Sequence, residues 1–203
     1  MENTNTNTII IGLLVLIVGL IVGLSLGNRG VGASLMGGNM MGYGNMMGTS
    51  VNVDRHFIEQ MIPHHEGAIA MAKIALERSK RPEIISLANG IIGAQQKEIS
   101  DMRSWYQSWY GSVPPEGGAG MMRMGNMGGD PSVLNSVSAL EFDREFIRQM
   151  IPHHEMAITM AQMLRTSTQR SEMKQLAGNI ITSQSSEIEM MRGWLQSWYG
   201  ARP

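Results

Sequence analysis

"QMIPHHEGAIAMA", Gln60 to Ala72, sets a proline inside helical apolar spacing and two adjacent histidines between Met61 and Met71. The chain writes it again as "QMIPHHEMAITMA", Gln149 to Ala161, and four of its five histidines lie in these two copies. The likeness runs outward from there. Asp54 corresponds to Asp143, an offset of 89 residues that also carries Glu83 to Glu172, Gln95 to Gln184, Met102 to Met191, Trp105 to Trp194 and Trp109 to Trp198. "QSWYG" closes both copies, at Gly111 and Gly200. A duplication of this length reads as one supersecondary unit written twice, each needing the other to bury its apolar face.

Each copy reads as two helices. Phe57, Met61, His64, Ala68 and Met71 are spaced by fours and threes, and Ile58, Ile62, His65, Ile69, Ala72 and Leu76 run beside them, which makes one wide buried face. Asp54 and Asp143 stand near the helix starts, where a carboxylate can cap free backbone N–H groups. The second helix begins near Pro82, carries Ala88, Ile91, Ile92, Ile99, Met102, Tyr106 and Trp109, and stops at Gly111. Two such hairpins predict an all-α protein, a four-helix bundle of approximate two-fold symmetry. Pro63 and Pro152 fall about ten residues into their helices; each predicts either a kink or a break there.

Two loose, glycine-rich segments flank the hairpins, "MGGNMMGYGNMMGTS" (Met36 to Ser50) and "PPEGGAGMMRMGNMGGDPS" (Pro114 to Ser132). Neither has the apolar periodicity to fold alone. Ahead of them, Ile9 to Leu26 is eighteen uncharged, mostly apolar residues. As a helix this is ~27 Å long, near the thickness of a bilayer core. It favours an uncleaved membrane anchor over a signal peptide cut near Val31, Gly32 and Ala33, and export in either case. Gly19, Gly23 and Gly27 have the four-residue spacing that can pack two such helices, although small residues are common in membrane helices anyway. The chain therefore divides into an amino-terminal anchor or signal segment (1–30), a Met/Gly-rich linker (31–51), a first hairpin (52–111), a second Met/Gly-rich linker (112–139) and a second hairpin (140–203). Residues 52–203 form one four-helix domain.

Composition narrows the chemistry. Sixteen Lys and Arg against seventeen Asp and Glu leave a net charge of −1, which makes no electrostatic case for nucleic acid. Methionine occurs twenty times and cysteine never, so the fold stands on packing and soft-metal ligands must be thioethers and imidazoles. Thioether sulfur is neutral, polarizable and a good ligand for Cu(I), and by the same softness for Ag(I). Met61, His64, His65 and Met71 share one helix face; the second copy supplies Met150, His153, His154, Met156 and Met160, and the facing helices add Met102 and Met191. Met61 and His65 are one turn apart and can reach one ion.

A core methionine taken singly is ordinary gap-filling. A histidine in an apolar stripe needs a hydrogen bond or a metal. Gln95 or Gln184 could serve one histidine per hairpin, but four satisfied that way is a demanding arrangement. In the linkers, Met36, Met40, Met41, Met46, Met47, Met121, Met122, Met124 and Met127 have nothing evident to pack against, which favours a multi-thioether tether over plain sticky sequence. Trp105, Trp109, Trp194 and Trp198, near helix ends, read as a seal over one end of the bundle.

The "MIPHHE" core in both copies resembles the signature of the CopM-like proteins, bacterial exported proteins gathered under a domain-of-unknown-function heading. The resemblance covers 54–111 and 143–200. It implies a ferritin-like four-helix bundle, Cu(I) or Ag(I) held by Met61, His64, His65, Met71, Met150, His153, His154 and Met160, and a role in copper resistance outside the cytoplasm. His56 against Glu145 and Gly67 against Met156 make the two copies unequal. The expectation is a binding protein and not an enzyme, which sequesters copper or hands it to an efflux system. Two alternatives stand beside it. A di-iron ferritin-like oxidase asks for Glu-x-x-His, which the chain lacks, although Glu66, Glu155, Glu98 and Glu187 are near in sequence or register. A metal-free, membrane-anchored interaction module would use the methionine surfaces for a partner.

Overall fold

Asn52 opens the first long helix: its side chain accepts from the Arg55 backbone N–H at 3.1 Å. From there the computed structural model describes residues 52–116 and 130–200. They form α1 (Val53–Arg78), α2 (Pro82–Tyr110), a short α3 (Pro131–Ser136), α4 (Phe142–Ser167) and α5 (Ser171–Tyr199). Both hairpin turns are built alike. The Ser79 backbone N–H closes α1 on the Ala75 carbonyl, and the Ser79 hydroxyl accepts from the Arg81 N–H; Thr168, Leu164 and Arg170 repeat the pattern after α4. Gly111 and Gly200 end α2 and α5 in the left-handed region, at φ 68° and 63°, where a Cβ would be strained.

α1 packs on α2, α4 on α5, and α1 meets α4 between the hairpins. Apolar burial falls into two equivalent half-cores. In one, Phe57, Ile58, Met61 and Met102 pack with Ala157, Ala161 and Leu164. In the other, Phe146, Ile147, Met150 and Met191 pack with Ala68, Ala72 and Ala75. The start of α1 thus meets the end of α4 and vice versa, so the hairpins lie antiparallel and the closed end of each abuts the open end of its partner.

Asp54 and Asp143 do not cap their own helices. Asp54 pairs with Arg170 at 3.3 Å and Asp143 with Arg81 at 3.2 Å, each reaching into the other hairpin's turn. The same arginines lie over tryptophans, Arg170 at 3.9 Å from the Trp109 ring centre and Arg81 at 4.2 Å from Trp198. Each tryptophan pair stacks, Trp105 on Trp109 and Trp194 on Trp198. The four tryptophans thus do not seal one end as the sequence suggests: because the hairpins are antiparallel the two pairs lie at opposite ends, each in a cation–π clasp between hairpins.

α1 and α4 run unbroken through Pro63 and Pro152, so the break is not observed. α3 lies inside the stretch expected to be loose. It buries Leu134 completely, and Arg78 donates to the carbonyls of Leu134 and Val137. The apolar stretch Ile9–Leu26, and with it the expected anchor or signal helix, lies outside the described residues. Among the described residues no helix is long and apolar enough to cross a membrane.

Candidate metal centre

α1 and α4 cross at their histidines. His64 and His153 lie on the faces that meet, and their rings stand 3.8 Å apart, tilted by 43°. His65 and His154 flank them at 6.4 and 6.2 Å. All four are buried, His65 and His154 completely.

Their hydrogen bonding is incomplete. The Nε2 of His65 lies 2.7 Å from Oε2 of Glu98, and the Nε2 of His154 lies 2.6 Å from Oε2 of Glu187. The remaining ring nitrogens have no hydrogen-bond partner: both of His64, both of His153, and Nδ1 of His65 and of His154. Buried polar atoms are rarely left so in a folded protein, and an unpaired one costs roughly 1–3 kcal/mol. Gln95 and Gln184, expected from sequence as histidine partners, leave their own buried Oε1 atoms unpaired. The glutamates three residues further along the same helices take that role instead.

Burial, reinforced by the neighbouring His65 and His154, pushes the pKa of His64 down from 6.5 to about 3. Burial and the neighbouring histidines hold His153 well below its ordinary range. A weak opposing pull from the His64 backbone does not reach hydrogen-bond geometry. Both rings are neutral at ordinary pH, the form that can donate a lone pair to a metal.

The thioethers sit on either side of this imidazole group. Met61 and Met102 are fully buried in one half-core, with Met160 packed half-buried against it. Met71, Met150 and Met191 are fully buried in the other. The first half-core thus combines Met61 and Met102 of the first hairpin with Met160 and the fully buried Met173 of the second; the other combines Met150 and Met191 with Met71. Met156 is half-buried and belongs to neither set. Met36, Met40, Met41, Met46, Met47, Met121, Met122, Met124 and Met127 lie outside the described residues. Glu66 and Glu155 face outward, paired with Arg103 and Arg192. Among the described residues no three His, Asp or Glu side chains converge to hold an ion.

Sequence reasoning missed the Glu98 and Glu187 contacts, although both recur at the 89-residue offset, as the ligand candidates do. It also missed that Glu59 accepts from Tyr106 at 2.6 Å and from Arg55 at 2.9 Å. This polar knot is confined to the first hairpin, because Leu195 stands at the position of Tyr106.

The arrangement defines an all-helical bundle protein whose centre is a buried, under-bonded cluster of imidazoles between thioethers. The chain belongs to the family described as "Domain of unknown function (DUF305)", whose profile matches residues 54–195. It is CopM-like: it resembles CopM solved in a Cu(I)-bound form at 47% identity, covering 72% of this chain and 98% of that one, with a TM-score of 0.65. CopM has also been solved with Ag and with Cu(II) bound. A DUF305 protein of Streptomyces coelicolor, described as secreted, is 26% identical, covering 74% of this chain and 95% of that one, with a TM-score of 0.65. An uncharacterized protein of Acanthamoeba polyphaga mimivirus is 47% identical over 51 residues, 25% of this chain and 34% of that protein.

Proposed function

We propose that this protein binds Cu(I), and Ag(I) by the same chemistry, through its buried imidazoles and thioethers. The observation that carries the reading is the set of unpartnered histidine nitrogens where α1 meets α4, flanked by methionines with no exposure to water. A soft monovalent ion satisfies those lone pairs with neutral donors. CopM, solved with copper and silver, supports the choice of metal. In this reading His64, His65, His153 and His154 hold the ion or ions, and Met61, Met102 and Met160, with Met71, Met150 and Met191, supply sulfur on either side. The protein is a ferritin-like carrier, not a catalyst. It acts outside the cytoplasm; the apolar Ile9–Leu26 stretch and the Streptomyces relative described as a "putative secreted protein" support this. There it sequesters copper or hands it to an efflux system, with the linker methionines as further capture sites. The di-iron alternative lacks a converging carboxylate set among the described residues.

Anaerobic titration of the full chain with Cu(I) against a chromogenic chelator tests the reading. The expected outcome is competition by the native chain. Replacing Met61, His64 and His65 together should weaken it while leaving the linker sites. A native chain that cannot compete at all overturns it.

A further inference from the structure

Glu98 and Glu187 are joined to the centre by the same bond in both hairpins. Each carboxylate oxygen meets Nε2 of a fully buried histidine, at 2.7 Å for His65 and 2.6 Å for His154. A carboxylate can only accept, and a neutral imidazole carries one N–H. The proton therefore sits on Nε2 and the lone pair on Nδ1. In both rings that Nδ1 is buried without a partner. His64 and His153 have no such carboxylate, so nothing fixes which of their nitrogens is bare.

We infer that Glu98 and Glu187 are positioning residues that lock His65 and His154 in the Nε2–H tautomer, so that both histidines present Nδ1 to the metal. This rests on the metal-binding reading above. Their carboxylates are only partly exposed, 15% and 17%, so each holds one face in the protein and one in water. From there they raise the donor strength of the rings and offset the charge of a monovalent ion, as carboxylates behind metal-binding histidines do elsewhere. The other neutral ligands leave that charge uncompensated.

Long-range 15N–1H spectra of the full chain, 15N-labelled at histidine and free of metal, decide the tautomer. His65 and His154 should show a protonated Nε2 and a bare Nδ1; an Nδ1–H signal in either overturns the inference. Addition of Ag(I) should shift Nδ1 of both rings and leave Nε2–H in place. Loss of the Nε2–H signal on loading overturns the ligand assignment. Histidine signals that Ag(I) leaves unmoved overturn the metal reading, while the metal-free spectrum still decides what the carboxylates do. In Glu98→Gln and Glu187→Gln variants the amide can donate as well as accept, so both tautomers should appear. The double variant should lose about 10–100-fold in Cu(I) affinity. A merely structural role would lower the melting temperature and leave the tautomer unchanged.

Discussion

His64 and His153 carry a burden that serves nothing in the metal-free fold. Their pKa values lie below the ordinary 6.5 of the unfolded chain. As pH falls, the unfolded state takes up protons first, so stability is full above about pH 6.5 and is lost between there and about pH 3. For His64 alone the loss from pH 7 to pH 4 is on the order of 3 kcal/mol, read as a fall in the urea midpoint. Because both rings stay neutral in the folded chain, Cu(I) binding should persist below the pH at which a free imidazole protonates, until the bundle itself opens. A His64→Leu variant removes two unpaired nitrogens. It should therefore raise metal-free stability by roughly 1–3 kcal/mol while weakening Cu(I) binding, and a destabilised variant would contradict the account. The histidines were legible in the sequence as buried, because they share the stripe of Met61 and Ala68. Their partners were not, because helical spacing offers Gln95 and Glu98 alike and only side-chain reach separates them.

Among the elements, the duplicated helices were the legible part. Period, Pro82 and the terminal glycines place α1, α2, α4 and α5 without any tertiary information. The clasps were not legible, since Arg81 and Arg170 lie in turns and find their tryptophans only once the hairpins are antiparallel. Arg81→Ala and Arg170→Ala should each cost about 1 kcal/mol. The two losses should add, because the clasps sit at opposite ends of the bundle; a double variant far off the sum would mean the ends communicate. α3 escaped for another reason: six residues carry too little periodicity to notice. Leu134→Ala should cost roughly 2–5 kcal/mol, the usual range for emptying a fully buried leucine site, measured by denaturant unfolding.

For the whole molecule, the half-cores make each hairpin incomplete. Residues 52–111 alone leave Met61, Met102 and Ala68 without the helices that cover them. That fragment should be unfolded at low concentration, or a helical dimer that rebuilds the bundle with a second copy of itself. Sedimentation and circular dichroism across a concentration series distinguish these, and a stable folded monomer would refute the half-core description. The overall two-fold was legible from the 89-residue offset. The antiparallel setting was not, because a repeat states that two units match and leaves open which way they face.

The four tryptophans of the chain all stand in the two end clasps, and none touches the histidine crossing. Trp105 and Trp109 pack against the half-core of Met61 and Met102, and Trp194 and Trp198 against that of Met150 and Met191. Intrinsic fluorescence thus reads each half-core through its own tryptophan pair. An ion held by the thioethers of one half-core should change the emission of that pair, and loading that pries the hairpins apart should change both.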